Sequence, residues 1–159
     1  MKPMITLCRT KAGIPAVLAV ILITFLSAGA YAGAEGIVTR TAKGSFESTV
    51  TNLKKAITAN KLVIVKEVPF TQMLAMVGVK AEKMTGFEIF HPRYGKVLYE
   101  NDKNAFLEAP LRIFVQDKGG EVMIRYRKPS AAFAGYRGLS GLGGDLDKVF
   151  EKIVGSVAK

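Results

Sequence analysis

The stretch at residues 110–129, PLRIFVQDKGGEVMIRYRKP, constrains the fold most because it predicts two β-strands joined by a turn. Apolar and polar side chains alternate on both sides of the segment at residues 117–120, a pattern typical of strands with one buried face. We expect Asp117 to pair with Gly120, which would set the register of the hairpin. One face of this hairpin is apolar and should meet the core; it carries Leu111, Ile113, Val115, Val122, Ile124 and Tyr126.

The opposite face of the predicted hairpin places Arg112 across from Arg125. Like charges directly opposite each other destabilise a strand pair, so these two need solvent, an acidic side chain or an anionic ligand beside them. The acidic candidates within the chain are Glu88, Glu108 and Glu121. Paired guanidinium groups bind carboxylates and phosphates through two hydrogen bonds. The pattern therefore predicts an anion-binding site at Arg112 and Arg125, with Arg93 as a third ligand-binding residue.

The first 34 residues are predicted to be a secretory signal peptide. Basic residues precede an apolar run at residues 14–26, and small residues follow it, which is the order of charge, apolar core and exit site in such peptides. Three overlapping Ala-x-Ala cleavage sites end at Ala30, Ala32 and Ala34. The alternative is an uncleaved anchor, but the run is shorter than the roughly 20 apolar residues of a membrane span. We expect a periplasmic or secreted protein with one domain over residues 35–159 and no membrane span after cleavage.

Composition narrows the possible chemistry of this exported domain. The single cysteine, Cys8, precedes the apolar run, so the processed chain would have no disulfide, thiolate metal site or thiol nucleophile. The formal net charge of the whole chain is +10. For an exported basic protein, a membrane surface, an anionic polysaccharide or an acidic partner is favoured over nucleic acid. The alternative is that the basic surface only keeps the protein soluble.

The remaining patterns predict the element order β-α-β-α-β-connector-β-β-α. The strands before the hairpin are expected at residues 37–41, 61–68 and 85–91, and the connector covers residues 95–108 with one or two short helical turns. Ser45 can cap the first helix. Together these elements predict an α/β (α+β) fold with a single mixed, partly antiparallel sheet of about five strands and helices packed on it.

Apolar spacing predicts two further helices. The second helix should start at Pro69, end at Gly78 and bury the stripe of Phe70, Met73, Leu74 and Val77. The last helix should start at Asp145, after a glycine-rich connector at residues 137–144. A helix start that follows glycines can bind an anion, although a flexible connector is the simpler interpretation.

The chain from Phe46 to the last helix resembles the family called domain of unknown function 302. The resemblance rests on Phe70 and Leu74, on the turn at residues 89–92, on the segment Ala-Pro-Leu-Arg-Ile at residues 109–113, and on Gly-Glu-Val at residues 120–122. It continues through Tyr126 and Pro129 to the Leu146–Asp147 pair. It implies a single compact α/β domain, which in some members associates as a dimer, and it implies no particular activity or cofactor. Many members have a glycine-rich turn where this chain has His91-Pro92, so the resemblance carries no ligand site to that position.

A metal or redox role is the alternative function. His91 is the only histidine of the chain, and Met73 and Met76 adjoin on the second helix. Thioether and imidazole groups are ligands for copper, but methionine is also an ordinary core filler. No spacing of Ser, His, Asp or Glu indicates a catalytic set. The sequence thus favours an exported binding or accessory domain with an arginine face over a copper or redox protein, and both over an enzyme.

Overall fold

The computed structural model describes residues 36–159. The predicted signal peptide, its cleavage sites and Cys8 lie outside these residues. Alternating strands build one sheet from β1 (Ile37–Thr41), β2 (Val63–Val68), β3 (Met84–Phe90), β4 (Leu111–Lys118) and β5 (Glu121–Arg127). The helices are α1 (Phe46–Ala59), α2 (Phe70–Ala75), α3 (Pro92–Asn101), α4 (Pro129–Ala132) and α5 (Ser140–Gly155), with a 3₁₀ helix at Lys103–Glu108.

The sheet has the order β1-β5-β4-β3-β2. All four pairings are antiparallel. After β1, the chain passes through α1 to the far edge of the sheet and then returns strand by strand to β5. The predicted five-stranded sheet with helices packed on it is confirmed.

The turn between β4 and β5 lies one residue later in the chain than we expected. Lys118 pairs with Glu121 and Asp117 pairs with Val122, so the predicted pairing of Asp117 with Gly120 is wrong. Gly119 and Gly120 form the two-residue loop, with φ of 62° and 91°; such positive angles are those that two-residue hairpin turns require. The pairing moves by two residues relative to the prediction. Because strand side chains alternate with a period of two, the assignment of faces is unchanged.

The main core lies between one face of the sheet and the helices α1 and α5. Ile113, Val115 and Ile124 of the hairpin are fully buried, as the alternation predicted. The helices contribute apolar side chains to the same cluster: Leu53, Ile57, Phe150, Ile153 and Val154. Ser45 caps α1, because its side chain accepts a hydrogen bond from the backbone N–H of Ser48.

A second apolar cluster lies at one end of the sheet. It contains Leu98 of α3, Ala105 of the 3₁₀ helix, Phe133, Leu139 and Leu146. Helix α3 therefore extends from Pro92 into the segment predicted as a connector, where it occupies residues 95–101. The charged residues of this segment obscured the helical pattern. The helix begins at Pro92, and proline suits this position because the first N–H groups of a helix have no partner within the helix.

The structure corrects the predictions for the second and last helices. No residue of α2 is buried, so its apolar stripe does not face the core. Helix α5 starts at Ser140 rather than Asp145 and includes glycines that we assigned to a connector. Gly143 is buried, and a Cβ atom there would lie 2.7 Å from Cα of Ser130. Glycine therefore lets α5 approach the start of α4. Within residues 36–159, no helix is both long and apolar enough to cross a bilayer.

Candidate functional site

The sheet face opposite α1 and α5 carries Arg112 and Arg125, two of the three arginines predicted from the sequence. We call it the open face and define it by Lys66, Val68, Gly86, Glu88, Arg112, Phe114 and Arg125. These residues alternate along their strands with core residues such as Phe87, Ile113 and Ile124. Phe70 of α2 packs on this face, against Gly86 and Phe114.

Three charged residues form a row across the open face. Lys66 of β2 pairs with Glu88 of β3, and Glu88 pairs in turn with Arg112 of β4. We call these three residues the charged row. Nε of Arg112 lies 3.4 Å from Oε1 of Glu88, and the Arg112 side chain is 74% exposed. Among the acidic candidates considered from the sequence, Glu88 is the one that forms an ion pair with Arg112.

An apolar row runs beside the charged row. Val68, Gly86 and Phe114 are successive partners across β2, β3 and β4. The ring of Phe70 lies over Gly86: a Cβ atom at Gly86 would come within 2.9 Å of that ring. The rings of Phe70 and Phe114 meet edge to face, with centroids 5.8 Å apart. Glycine in this strand therefore makes room for an aromatic side chain on the sheet surface.

A cleft of about 400 Å³ lies between the two rows. Its lining includes Lys66, Glu88 and Arg112 on the charged side and Val68, Phe70 and Phe114 on the apolar side. The size is within the usual range of small-molecule sites, roughly 300–1,000 Å³. Most of its surface is apolar and its charges lie together, which suits a ligand with an apolar body and a charged group.

The strand register places Arg125 away from Arg112, and its side chain is hydrogen-bonded to Gln116. Arg125 pairs with Phe114 rather than with Arg112. Its Nη1 donates to Oε1 of Gln116 at 3.0 Å, and Nε2 of Gln116 donates to Oε2 of Glu82 at 2.7 Å. The predicted juxtaposition of Arg112 and Arg125 is therefore wrong in register, although both residues lie on the open face.

Arg93 lies outside the cleft. It is an exposed residue near the start of α3, and its backbone N–H donates to Nδ1 of His91 at 3.1 Å. A second cleft of about 350 Å³ is lined by Arg112 and Arg127 together with Glu108, and Arg93 does not line it. Of the three predicted arginines, Arg112 is the one that the structure places in the cleft.

The residues of the metal alternative lie at opposite ends of β3. Thr71 of α2 accepts a hydrogen bond from the backbone N–H of Met84, at the start of β3, whereas His91 follows its end. Seven residues of strand span about 24 Å, so the fold separates His91 from Met73 and Met76. Met73 and Met76 are 52% and 86% exposed. Nδ1 of His91 is already the cap of α3. Among residues 36–159, no group of three His, Cys, Asp or Glu side chains is arranged to hold a metal ion.

The resolved pKa shifts lie away from the cleft. The hydrogen bond from Lys83 lowers the pKa of Glu47 and raises that of Lys83. This exposed ion pair joins the start of α1 to the residue before β3. Burial and the nearby Glu108 carboxylate raise the pKa of Tyr136, whose hydroxyl lies 3.3 Å from Oε1 of Glu108.

Sequence reasoning missed Lys66, Gly86 and the aromatic pair of Phe70 and Phe114 as parts of the site. The apolar spacing places Phe70 in a buried stripe of the second helix, and Lys66 lies in a strand predicted without a functional role. Alternation along β2 and β3 was a usable signal, because Lys66 and Glu88 are polar residues in the middle of apolar strands. Bringing them beside Arg112 required the strand order, which the alternation does not contain.

The geometry defines a class: a single α+β domain whose antiparallel sheet carries its main helices on one face and a cleft on the other. The family model "Domain of unknown function DUF302" matches residues 38–159, and the chain belongs to this family. A solved structure similar to the chain is that of an uncharacterized conserved DUF302 protein from Bacillus stearothermophilus, with a TM-score of 0.68 and 17% identity. The match covers 78% of this chain and 97% of that one, and it supports the fold alone. No curated protein matches the chain.

Proposed function

We propose that this protein is an exported binding domain that takes up an anionic small molecule on its open face, with Arg112 as the principal contact. The observation that carries this proposal is the position of Arg112: it is 74% exposed at the edge of a largely apolar cleft. A guanidinium group can bind a carboxylate or phosphate through two parallel hydrogen bonds. The long contact with Glu88 orients Arg112 and leaves most of the guanidinium accessible.

Arg125 and Arg93 have secondary roles in this proposal. Arg125 lies on the same face, so its charge contributes to the positive potential that draws an anion toward the sheet. Its hydrogen bond with Gln116 already uses one donor group. Arg93 extends the basic surface beyond the end of β3. We therefore expect the loss of Arg112 to weaken binding more than the loss of either other arginine.

Export rests on the order of charge, apolar run and small residues in the first 34 positions. If the leader is removed as proposed, the protein isolated from its export compartment begins directly after Ala30, Ala32 or Ala34. N-terminal sequencing together with the intact mass measures this. A protein that retains its leader and stays in the membrane fraction would contradict the proposed export.

Native mass spectrometry of the protein purified from its producing cells tests the binding role. We expect a noncovalent small anion on the wild-type protein and its loss from Arg112→Gln. Arg137→Gln is the matched control, because Arg137 is exposed outside the cleft and its substitution removes the same charge. A molecule retained equally by Arg112→Gln, or a wild-type protein that carries none and takes up no anionic probe, would overturn the proposal.

A further inference from the structure

We infer that the ligand of the open face is a monoanion with a flat aromatic body, such as an aromatic monocarboxylate. This inference rests on the proposed function and names the class of molecule that fits the same cleft. Two features of the cleft carry it: the count of charges in the charged row and the shape of the apolar row beside it.

The charged side chains that line the cleft, those of the charged row, have an excess of one positive charge, while Arg127 and Glu108 line the neighbouring cleft. Lys66 and Arg112 are cationic and flank the carboxylate of Glu88 on neighbouring strands. One negative charge on the ligand therefore balances the row. A second negative charge would lie close to the Glu88 carboxylate, which is only 24% exposed and thus poorly screened by solvent. Glu88 therefore positions Arg112 and, through charge repulsion, disfavours a ligand with two negative charges.

The apolar row favours a flat ligand. The ring of Phe70 fills the space over Gly86, so the apolar side of the cleft presents aromatic rings to a ligand. Phe70 and Phe114 meet edge to face at 5.8 Å, and Val68 completes that side of the cleft. Aromatic bodies pack well against rings in offset or edge-to-face arrangements. An aromatic ligand packed against the rings of Phe70 and Phe114 would bring a carboxylate substituent to Arg112, which lines the same cleft.

The distance between charge and apolar surface supports a compact molecule. Phe114 and Arg112 are two residues apart on the same face of β4, and Gly86 and Glu88 are two apart on β3. Two residues of strand span about 7 Å. This matches a fused or substituted ring with its carboxylate attached directly, and not an anion that lacks an apolar body, such as inorganic phosphate.

The experiment compares four probes on the protein as its cells produce it: naphthoate, naphthalene dicarboxylate, naphthyl methanol and inorganic phosphate. Binding is measured by calorimetry at low ionic strength, and the site is located from the amide NMR shifts of Gly86 and Phe114. We expect naphthoate to bind the wild-type protein roughly tenfold more tightly than the dianion or the neutral alcohol. Phosphate should bind most weakly of the four.

Two substitutions test separately how the charges of Arg112 and Glu88 contribute to the affinity for the probes. Arg112→Gln should remove the advantage of naphthoate over naphthyl methanol and leave binding of the alcohol intact. Glu88→Gln should raise the affinity for the dicarboxylate relative to naphthoate, because it gives the row two positive charges and no carboxylate. Arg137→Gln serves as the charge-matched control, and the thermal midpoint of each variant verifies its fold.

The outcomes distinguish this inference from the proposed function. If monoanion and dianion bind equally and Glu88→Gln leaves their ratio unchanged, the ligand class is wrong, while loss of both in Arg112→Gln still supports anion binding on the open face. If phosphate binds as tightly as naphthoate, the aromatic body is wrong. If no anion moves the Gly86 and Phe114 resonances, for example because a second copy of the chain covers the face, the inference and the proposed function both fail.

Discussion

Single residues determine how closely the elements of this domain approach each other. Gly143 lets the start of α5 lie against the backbone of Ser130. Asp147 of α5 stabilises this contact, because its carboxylate accepts hydrogen bonds from the backbone N–H and from the Oγ hydroxyl of Ser130. The Leu146–Asp147 pair that supports the family resemblance therefore has a physical role: Leu146 fills the second cluster and Asp147 holds α4 against α5.

Gly143→Ala should destabilise the protein by about 1–3 kcal/mol, because the added methyl group meets backbone that cannot move without separating two helices. Gly144→Ala is the control, since a Cβ atom there meets nothing within 4 Å. Alanine at that helical position should stabilise by about 0.5–1 kcal/mol. Urea unfolding of both variants measures the two effects, and an equal response would show that the contact with Ser130 is unimportant.

Tyr126 should make the protein less stable at alkaline pH. Burial raises its pKa, against a smaller lowering by Arg40, and its ring packs on Phe150 with centroids 5.5 Å apart. Because the pKa is higher in the folded than in the unfolded protein, where it is about 10, this contribution is complete below pH 10. It is lost as the pH rises through the folded value.

Comparison of the wild-type protein with Tyr126→Phe checks this expectation. The free energy of unfolding of the wild-type protein should fall more steeply above pH 10 than that of the variant. A constant difference between the two proteins from neutral to strongly alkaline pH would mean that Tyr126 ionises as easily in the folded state as in the unfolded state.

At the scale of elements, the sequence predicted correctly which side chains of the hairpin face the core, but the strand pairing predicted from it was wrong. Alternation assigned Ile113 and Val115 to the core correctly, because side-chain direction in a strand is local. The register depended on the turn: Gly119 and Gly120 both adopt the positive φ angles of a two-residue loop, which two glycines accommodate better than the loop at residues 118–119 that our pairing implied. In α2 the apolar spacing was misleading, because a stripe shows that a helix has an apolar side but not that anything covers it.

Helix α2 should be among the least stable elements of the described domain. It buries no residue, and Met76 beyond its end is 86% exposed. We expect Met76→Ala to change the free energy of unfolding by no more than about 0.5 kcal/mol. Leu146→Ala, a comparable truncation in the second cluster, should cost about 2–5 kcal/mol.

Hydrogen exchange provides a second measurement of α2. The amides at residues 73–79 should exchange far faster than those of β4, because few buried contacts oppose local opening. Slow exchange there, or a large cost of Met76→Ala, would indicate that another surface covers α2 in solution.

At the scale of the whole molecule, two apolar clusters share their boundary. Tyr94 and Leu111 pack against both of them. An apolar cavity of only about 20 Å³ lies at the junction, with Ile89 and Phe150 on one side and Leu98 and Leu146 on the other. The clusters are therefore nearly continuous, and they should unfold together.

We expect the domain to unfold in one cooperative transition. With increasing urea, the exchange free energies of the Ile124 and Leu98 amides, one from each cluster, should converge on the same global value. Leu111→Ala should lower that value by roughly 2 kcal/mol and loosen the second cluster more than the first. Separate unfolding of the two clusters in the wild-type protein would show that Tyr94 and Leu111 do not couple them.

The sequence by itself determined the α+β class, the buried face of each hairpin strand, the cap at Ser45 and the family resemblance, because each follows from local periodicity or from a short motif. It also indicated that Arg112 needs solvent, an acidic side chain or an anionic ligand beside it. Only the tertiary structure decided that Glu88 is this partner, that Lys66 completes the row, and that Phe70 covers Gly86. These contacts join residues from separate strands and a helix, so they depend on strand order and register, which are set by the packing of the whole sheet.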